Sequence, residues 1–151
     1  IELNHFIQKS IADFRTSQNG NQYSITFHSE LQEFSIELDQ LHFSNVIFNI
    51  LDNAIKYCDE APQIDVELSE TKKHIQLKFA DNGIGIPKEY RKKIFGRFYR
   101  IPTGDIHNVK GFGLGLDYVR KIVERHHWEI EVSDNSPKGS IFTIVIPKKR
   151  S

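Results

Sequence analysis

Asn49-Ile50-Leu51-Asp52-Asn53-Ala54-Ile55-Lys56-Tyr57 closes a run that begins at Asp39, and how that run is read decides the fold of the chain. Asp39 is a good N-cap, and Leu41, Val46, Phe48, Ile50, Leu51, Ala54 and Ile55 supply the apolar faces of a helix continuing through Tyr57. Within it Asn49, Asn53, Lys56 and Tyr57 recur at spacings of three and four, so they share one face beside the apolar stripe. Two amides and an ammonium so placed offer an oxygen ligand for Mg²⁺ and a positive contact for phosphates. An ordinary solvated helix face accounts for the same row equally well.

Working outward, residues 3 to 16 carry Leu3, Phe6, Ile7, Ile11 and Phe14 at helical spacing and predict an N-terminal helix. The alternating stretches Tyr23 to Phe27 and Phe34 to Leu38 predict two strands before the Asp39 helix. After Pro62, Ile64 to Leu68 and Ile75 to Phe79 alternate in the same way and predict a hairpin. Residues 87 to 95 predict a short helix, 96 to 113 a long glycine-bearing loop, 114 to 127 a second strong helix, and 128 to 133 and 140 to 146 two closing strands. Helices and strands mix without strict alternation. That order predicts an α+β, two-layer sandwich rather than a doubly wound parallel sheet.

Two glycine clusters frame the loop. Asp81-Asn82-Gly83-Ile84-Gly85-Ile86-Pro87 follows an apolar strand, where glycines let backbone approach a flat ligand and a carboxylate at the strand end can accept from an exocyclic amine such as adenine's. Asp-Asn-Gly alone is an equally good tight turn. Lys110-Gly111-Phe112-Gly113-Leu114-Gly115-Leu116 leads into a helix, a recipe for holding phosphate on backbone N–H groups. Neither the Gly-x-x-x-x-Gly-Lys-Ser/Thr pattern nor the dinucleotide-binding glycine spacing is present. Between the clusters lies Ile94-Phe95-Gly96-Arg97-Phe98-Tyr99-Arg100, aromatic anchors with arginines beside them.

Taken in order, these motifs resemble those of two-component sensor histidine kinases. Asn49 to Tyr57 resembles the N box, Asp81 to Gly85 the first glycine box, Ile94 to Arg100 the F box, and Gly111 to Gly115 the second glycine box. The likeness covers roughly residues 40 to 147, including the closing Gly139-Ser140-Ile141-Phe142-Thr143. It implies the catalytic, ATP-binding domain of such a kinase, with the Bergerat fold: a mixed, mostly antiparallel sheet of about five strands, three helices and an ATP lid over residues 96 to 113. By matched positions, Asn53 binds Mg²⁺ with help from Asn49, and Lys56 contacts phosphate. Tyr57 lines the adenine pocket, Asp81 accepts from the adenine amine, and Gly83, Gly85 and Ile86 shape the floor. Arg100 approaches the γ-phosphate, while Gly111, Gly113, Leu114 and Gly115 wrap the phosphates, joined by Lys110, where many relatives carry other residues. The resemblance also implies two partners, the kinase's own histidine-bearing dimerisation domain and a downstream response regulator receiver domain. It implies a cytoplasmic domain whose parent is anchored in the inner membrane. The family's usual Gly-Gly after the last helix is replaced by His127-Trp128, which removes the favoured left-handed cap residue.

Bulk composition fits that expectation. A chain of 151 residues with 38% hydrophobic content and 11 Phe can build one core, so one domain over 1–151 is expected. Twenty basic residues balance twenty acidic ones, which gives no pull toward nucleic acid or an anionic membrane surface. The lone Cys58 cannot form an intrachain disulfide and reads as a small buried residue in a reducing compartment. The start at Ile1 and the absence of methionine read as a piece of a longer protein. None of His5, His28, His42, His74, His107, His126 and His127 precedes Asp or Glu, so the phosphoacceptor histidine is expected on a segment outside this chain. Three alternatives fit the residues less well. Gyrase-type hydrolysis is disfavoured because Asn49 stands where a glutamate would activate water. An anti-sigma-type serine kinase is opposed by the F box and the missing start methionine. A non-catalytic pseudokinase module would show erosion at Asn53, Asp81 or the glycines, and these are intact.

Overall fold

A computed structural model describes residues 1–18, 22–96 and 113–148. Its elements run α1 (Leu3–Ser17), β1 (Ser24–Ser29), α2 (Gln40–Lys56), β2 (Gln63–Glu70), β3 (His74–Asp81), α3 (Gly113–Arg125), β4 (Glu129–Asp134) and β5 (Ser140–Pro147). The five strands form one sheet in the order β1-β2-β3-β5-β4, with β1 and β2 parallel and every other neighbouring pair antiparallel. This is the mixed α+β sandwich expected from the order of elements.

Alternation decides which face is buried. Ile64, Val66 and Leu68 of β2 and Ile75, Leu77 and Phe79 of β3 are buried, and they share one core with Phe43, Ile47 and Leu51 of α2 and Val119 and Val123 of α3. The same two-residue period carries one step further to Asp81, which therefore lies on the buried face at the end of β3. A carboxylate is thus placed in the core layer by register alone.

α2 starts as expected: the Asp39 carboxylate accepts from the His42 amide at 3.1 Å. The expected apolar face needs one correction, because Leu41 is 69% exposed in the first turn, while Phe43 and Ile47 are fully buried. The predicted strand from Phe34 to Leu38 is absent. That segment makes a single bridge, Ser35 to Glu2, because its partner is the short stretch before α1, which leaves the extended conformation after Glu2. The predicted helix over 87 to 95 is two separate 3₁₀ turns, Lys88–Tyr90 and Lys93–Phe95. The second pins Ile94 and Phe95 into the core, with Phe95 edge-on to Phe142 at 6.3 Å.

The missing glycine after α3 is replaced in kind. His127 itself takes the left-handed conformation, φ 63°, and its amide donates to the Glu124 carbonyl at 2.9 Å while the Trp128 amide donates to the Val123 carbonyl at 3.1 Å. That pair of bonds is a Schellman cap. It turns Trp128 inward against Phe43, ring centroids 5.3 Å apart.

Candidate functional site

The end of β3 is built around Asp81. The β3–β5 ladder ends at Ala80 and Ile141, and the next donor on β5, the Ser140 amide, finds a side chain in place of a backbone carbonyl: it donates to Asp81 Oδ1 at 3.1 Å. The Gly83 amide donates to the same oxygen at 2.9 Å as the chain turns. Asp81 is 7% exposed, and among the described residues Oδ2 has no hydrogen bond. Burial pushes the carboxyl above its ordinary value of 3.8, an effect that the Gly83 and Ser140 amides only partly offset. The result is a fixed carboxyl with one oxygen bonded by two backbone amides and the other without a hydrogen bond among the described residues.

The glycine turn is bonded to the end of α2. The Ile84 amide donates to the Tyr57 carbonyl at 2.9 Å, and a Cβ on Gly83 would lie 2.7 Å from that same carbonyl oxygen. Only glycine permits this approach. Gly85 has φ +81°, and Ile86 is half-buried against the core. Tyr57, half-buried, caps α2, so acceptor, turn and helix end form one unit.

One turn further back on α2, Asn49 and Asn53 face the first turn of α3. A Cβ on Gly115 would meet Asn49 Oδ1 at 3.2 Å and Asn53 Nδ2 at 3.7 Å. The polar row predicted on α2 is therefore assembled against the glycine cluster rather than spread over solvent. Neutral amide oxygens beside a helix N-terminus are a donor set that suits a hard cation carrying phosphate oxygens. Lys56 departs from the row: its Nζ pairs with Asp52 Oδ2 at 2.7 Å, one turn back on the same helix. Gly113 begins α3, Leu114 follows it, and Arg100, Lys110 and Gly111, with residues 97–112 of the expected lid, lie outside the described residues.

Residues to which no motif in the sequence assigns a role also hold this site. Asn135 Nδ2 donates to the Asp81 carbonyl at 2.8 Å, and Gly139 packs so closely there that a Cβ would fall 1.9 Å from the same oxygen. Asn82 Oδ1 accepts from the Gln63 amide at 2.8 Å and its Nδ2 donates to the Ala61 carbonyl at 3.1 Å, fastening the start of β2 to the glycine turn. Cys58 is half-buried rather than buried, with Sγ 3.4 Å from Asn82 Oδ1. The available signal was the Asn135-Ser136-Pro137-Lys138-Gly139 run, readable as a turn but not as a neighbour of Asp81.

The sequence profile described as "Histidine kinase-, DNA gyrase B-, and HSP90-like ATPase" matches residues 38–150. The chain belongs to this ATPase family. Sensor kinases are among its relatives: it is 38% identical to Sensor protein RprX of Bacteroides fragilis across 97% of this chain and 29% of that protein. It is 36% identical to Sensor protein CiaH of Streptococcus pneumoniae across 93% of this chain and 32% of that protein. The domain thus spans about a third or less of the curated relatives it matches. The catalytic domain of histidine kinase ThkA has a TM-score of 0.80 at 26% identity, covering 98% of this chain and 95% of that one. The mycobacterial sensor histidine kinase MprB gives 0.76 at 27% identity, covering 97% and 95%. The ATPase domain has the Bergerat fold expected from its motifs and is similar to the catalytic domains of sensor histidine kinases.

Proposed function

We propose that residues 1–151, as a single domain, bind ATP with Mg²⁺ and deliver the γ-phosphoryl group to a histidine on a separate dimerisation domain of the same kinase. The observation that carries this reading is Asp81, a buried carboxylate whose Oδ1 is saturated by two amides while Oδ2 remains available to the exocyclic amine of adenine. In this reading Tyr57, Gly83, Gly85 and Ile86 surround the base. Asn53, with Asn49 beside it, holds Mg²⁺, which when bound neutralises phosphate charge. Lys56 leaves Asp52 for a phosphate oxygen, and the backbone from Gly111 through Gly113, Leu114 and Gly115 lines the phosphates at the head of α3. Arg100 and Lys110 approach from the segment 96–113, which acts as the lid.

The chemistry asked of these residues is positioning and charge stabilisation. The bond from the γ-phosphorus to the β–γ bridging oxygen breaks, a bond from phosphorus to an imidazole nitrogen forms, and ADP departs. Asn49 beside the metal ligand is an amide and cannot deprotonate water, which favours transfer over hydrolysis. A response regulator receiver domain is the downstream partner in this reading, supported by the crystal structure of ThkA in complex with the response regulator TrrA, to which the chain is 25% identical with a TM-score of 0.79 over 99% of its length and 41% of that chain. The domain sits on the cytoplasmic side of a parent anchored in the inner membrane, and makes no direct contact with lipid or nucleic acid. Among the described residues no helix is long and apolar enough to cross a membrane.

The test is transfer in trans. Radiolabelled ATP and the domain alone should label nothing and release phosphate slowly. Addition of the parent's histidine-bearing hairpin should yield an acid-labile, base-stable phosphohistidine. ATP binding without transfer under any condition would instead make this a nucleotide-binding module.

A further inference from the structure

The turn between β4 and β5 converges on Asp81 although no nucleotide-binding role attaches to its first residue. Asn135 ends the turn on the β4 side: its backbone amide donates to the Gly139 carbonyl at 3.0 Å and its side-chain oxygen accepts from the Ser136 amide at 2.9 Å. This leaves Nδ2 aimed away from its own turn, at the Asp81 carbonyl, 2.8 Å away. The peptide plane held in this way is the one that begins the Asp81–Gly83 turn, in which the Gly83 amide reaches Oδ1. The same turn supplies the Ser140 amide, the second donor to Oδ1, and Gly139, φ +106°, gives the contact its closeness.

We infer that Asn135 is a positioning residue for adenine recognition, acting by fixing the Asp81 main chain so that the second carboxylate oxygen keeps one orientation. The inference rests on the adenine reading of Asp81. Without the Asn135 amide, the Asp81–Asn82 peptide loses its only side-chain donor among the described residues, and the backbone that sets the carboxylate against the Gly83 and Ser140 amides is less constrained. A less ordered acceptor binds an amine less well because ordering it falls to the ligand. Phosphate contacts at α3 are untouched.

Asn135→Asp is the sharper variant, since it keeps the oxygen that accepts from Ser136 and replaces only the donor to the Asp81 carbonyl. Asn135→Ala removes both contacts. Lys138→Ala serves as a control on the same turn, because it deletes only exposed pairs to Asp59 and Glu60. Calorimetry on the whole domain compares ATP with the triphosphate of purine riboside, which lacks the amine at position 6. Wild type should prefer ATP; equal affinities would overturn the adenine reading and this inference with it. Both Asn135 variants should bind ATP about tenfold more weakly while the amine-free analogue changes less than about twofold, so the preference collapses. Lys138→Ala should keep it. If either Asn135 variant weakens both nucleotides equally, or leaves the preference at the wild-type value, Asn135 does not position the acceptor.

Discussion

A methyl group added to Gly115 would lie 3.2 Å from Asn49 Oδ1, so the first turn of α3 and the polar row of α2 are separated by a gap that glycine alone leaves fully open. The contact is tight rather than impossible. Its neighbour is a side chain that can yield by a few tenths of an ångström, but only by moving an amide from the place where a cation and phosphates would sit.

Gly115→Ala should therefore split two properties that usually fall together. Alanine reduces the freedom of the unfolded chain and suits a helix, so the ligand-free domain should be unchanged or more stable by up to about 1 kcal/mol. Affinity for Mg²⁺-ATP should fall, on the order of tenfold, as the Asn49 amide is displaced. Denaturant melts and calorimetry on the same preparation check both halves; a parallel loss of stability and affinity would refute the gap argument.

Asp81→Asn should also separate stability from binding. Asparagine retains the oxygen that accepts from Gly83 and Ser140 but presents an NH₂ where the adenine amine would donate. The native carboxyl is held above its ordinary value of 3.8, chiefly by burial. Its contribution to stability is therefore fully present below the unfolded value and is lost as pH rises through the folded one. Asparagine removes this buried ionisable group, so the variant should melt no lower than wild type and should lose that part of the pH dependence. Its ATP affinity should drop by at least about tenfold.

Lys56→Ala tests whether the pair with Asp52 is an end in itself. Both partners are more than a third exposed and one helical turn apart, so the pair contributes no more than about 0.5 kcal/mol. Thermal melts should barely move. ATP affinity should fall several-fold and adenosine affinity should not, because the proposed alternative partner of Lys56 is phosphate. Equal effects on ATP and adenosine would remove Lys56 from the phosphate site.

His127→Gly should stabilise the domain. The residue is exposed, occupies φ 63°, and serves a cap whose hydrogen bonds are made by backbone alone. Removing the Cβ from a left-handed position is worth about 1 kcal/mol, or a rise in melting temperature of about 3 °C for a domain this size. A fall would mean that the imidazole itself holds the turn.

Local signals carried most of what the sequence reading obtained. Helix α2, the β2–β3 hairpin and α3 announce themselves through period and caps, and Asn49, Asn53, Asp81 and Gly115 stand in motifs with recognisable spacing. What was misread depended on tertiary neighbours. Phe34 to Leu38 alternates as a strand should, yet finds only the short stretch around Glu2 to pair with. Leu41 looks like part of the apolar stripe but lies in a first turn that faces solvent. The loss of the double glycine after α3 seemed to threaten a turn that His127 then made unaided. The role of Asn135 and Gly139 at Asp81 was invisible because β5 must first pair with β3 to bring them there.

The parallel pairing of β1 with β2 has a consequence for how the chain folds. β2 and β3 are joined through residues 71–73, closed by a 2.8 Å bond from the Thr71 amide to the His74 carbonyl, whereas β1 reaches β2 only after the whole of α2 has been accommodated between them. Closing the short loop sacrifices little chain entropy, and the long crossover sacrifices more before any rung forms. The hairpin should therefore nucleate and the β1 edge should zip on late. Ile25→Ala in β1 should accelerate unfolding while leaving the refolding rate nearly unchanged, and Phe79→Ala in β3 should slow refolding.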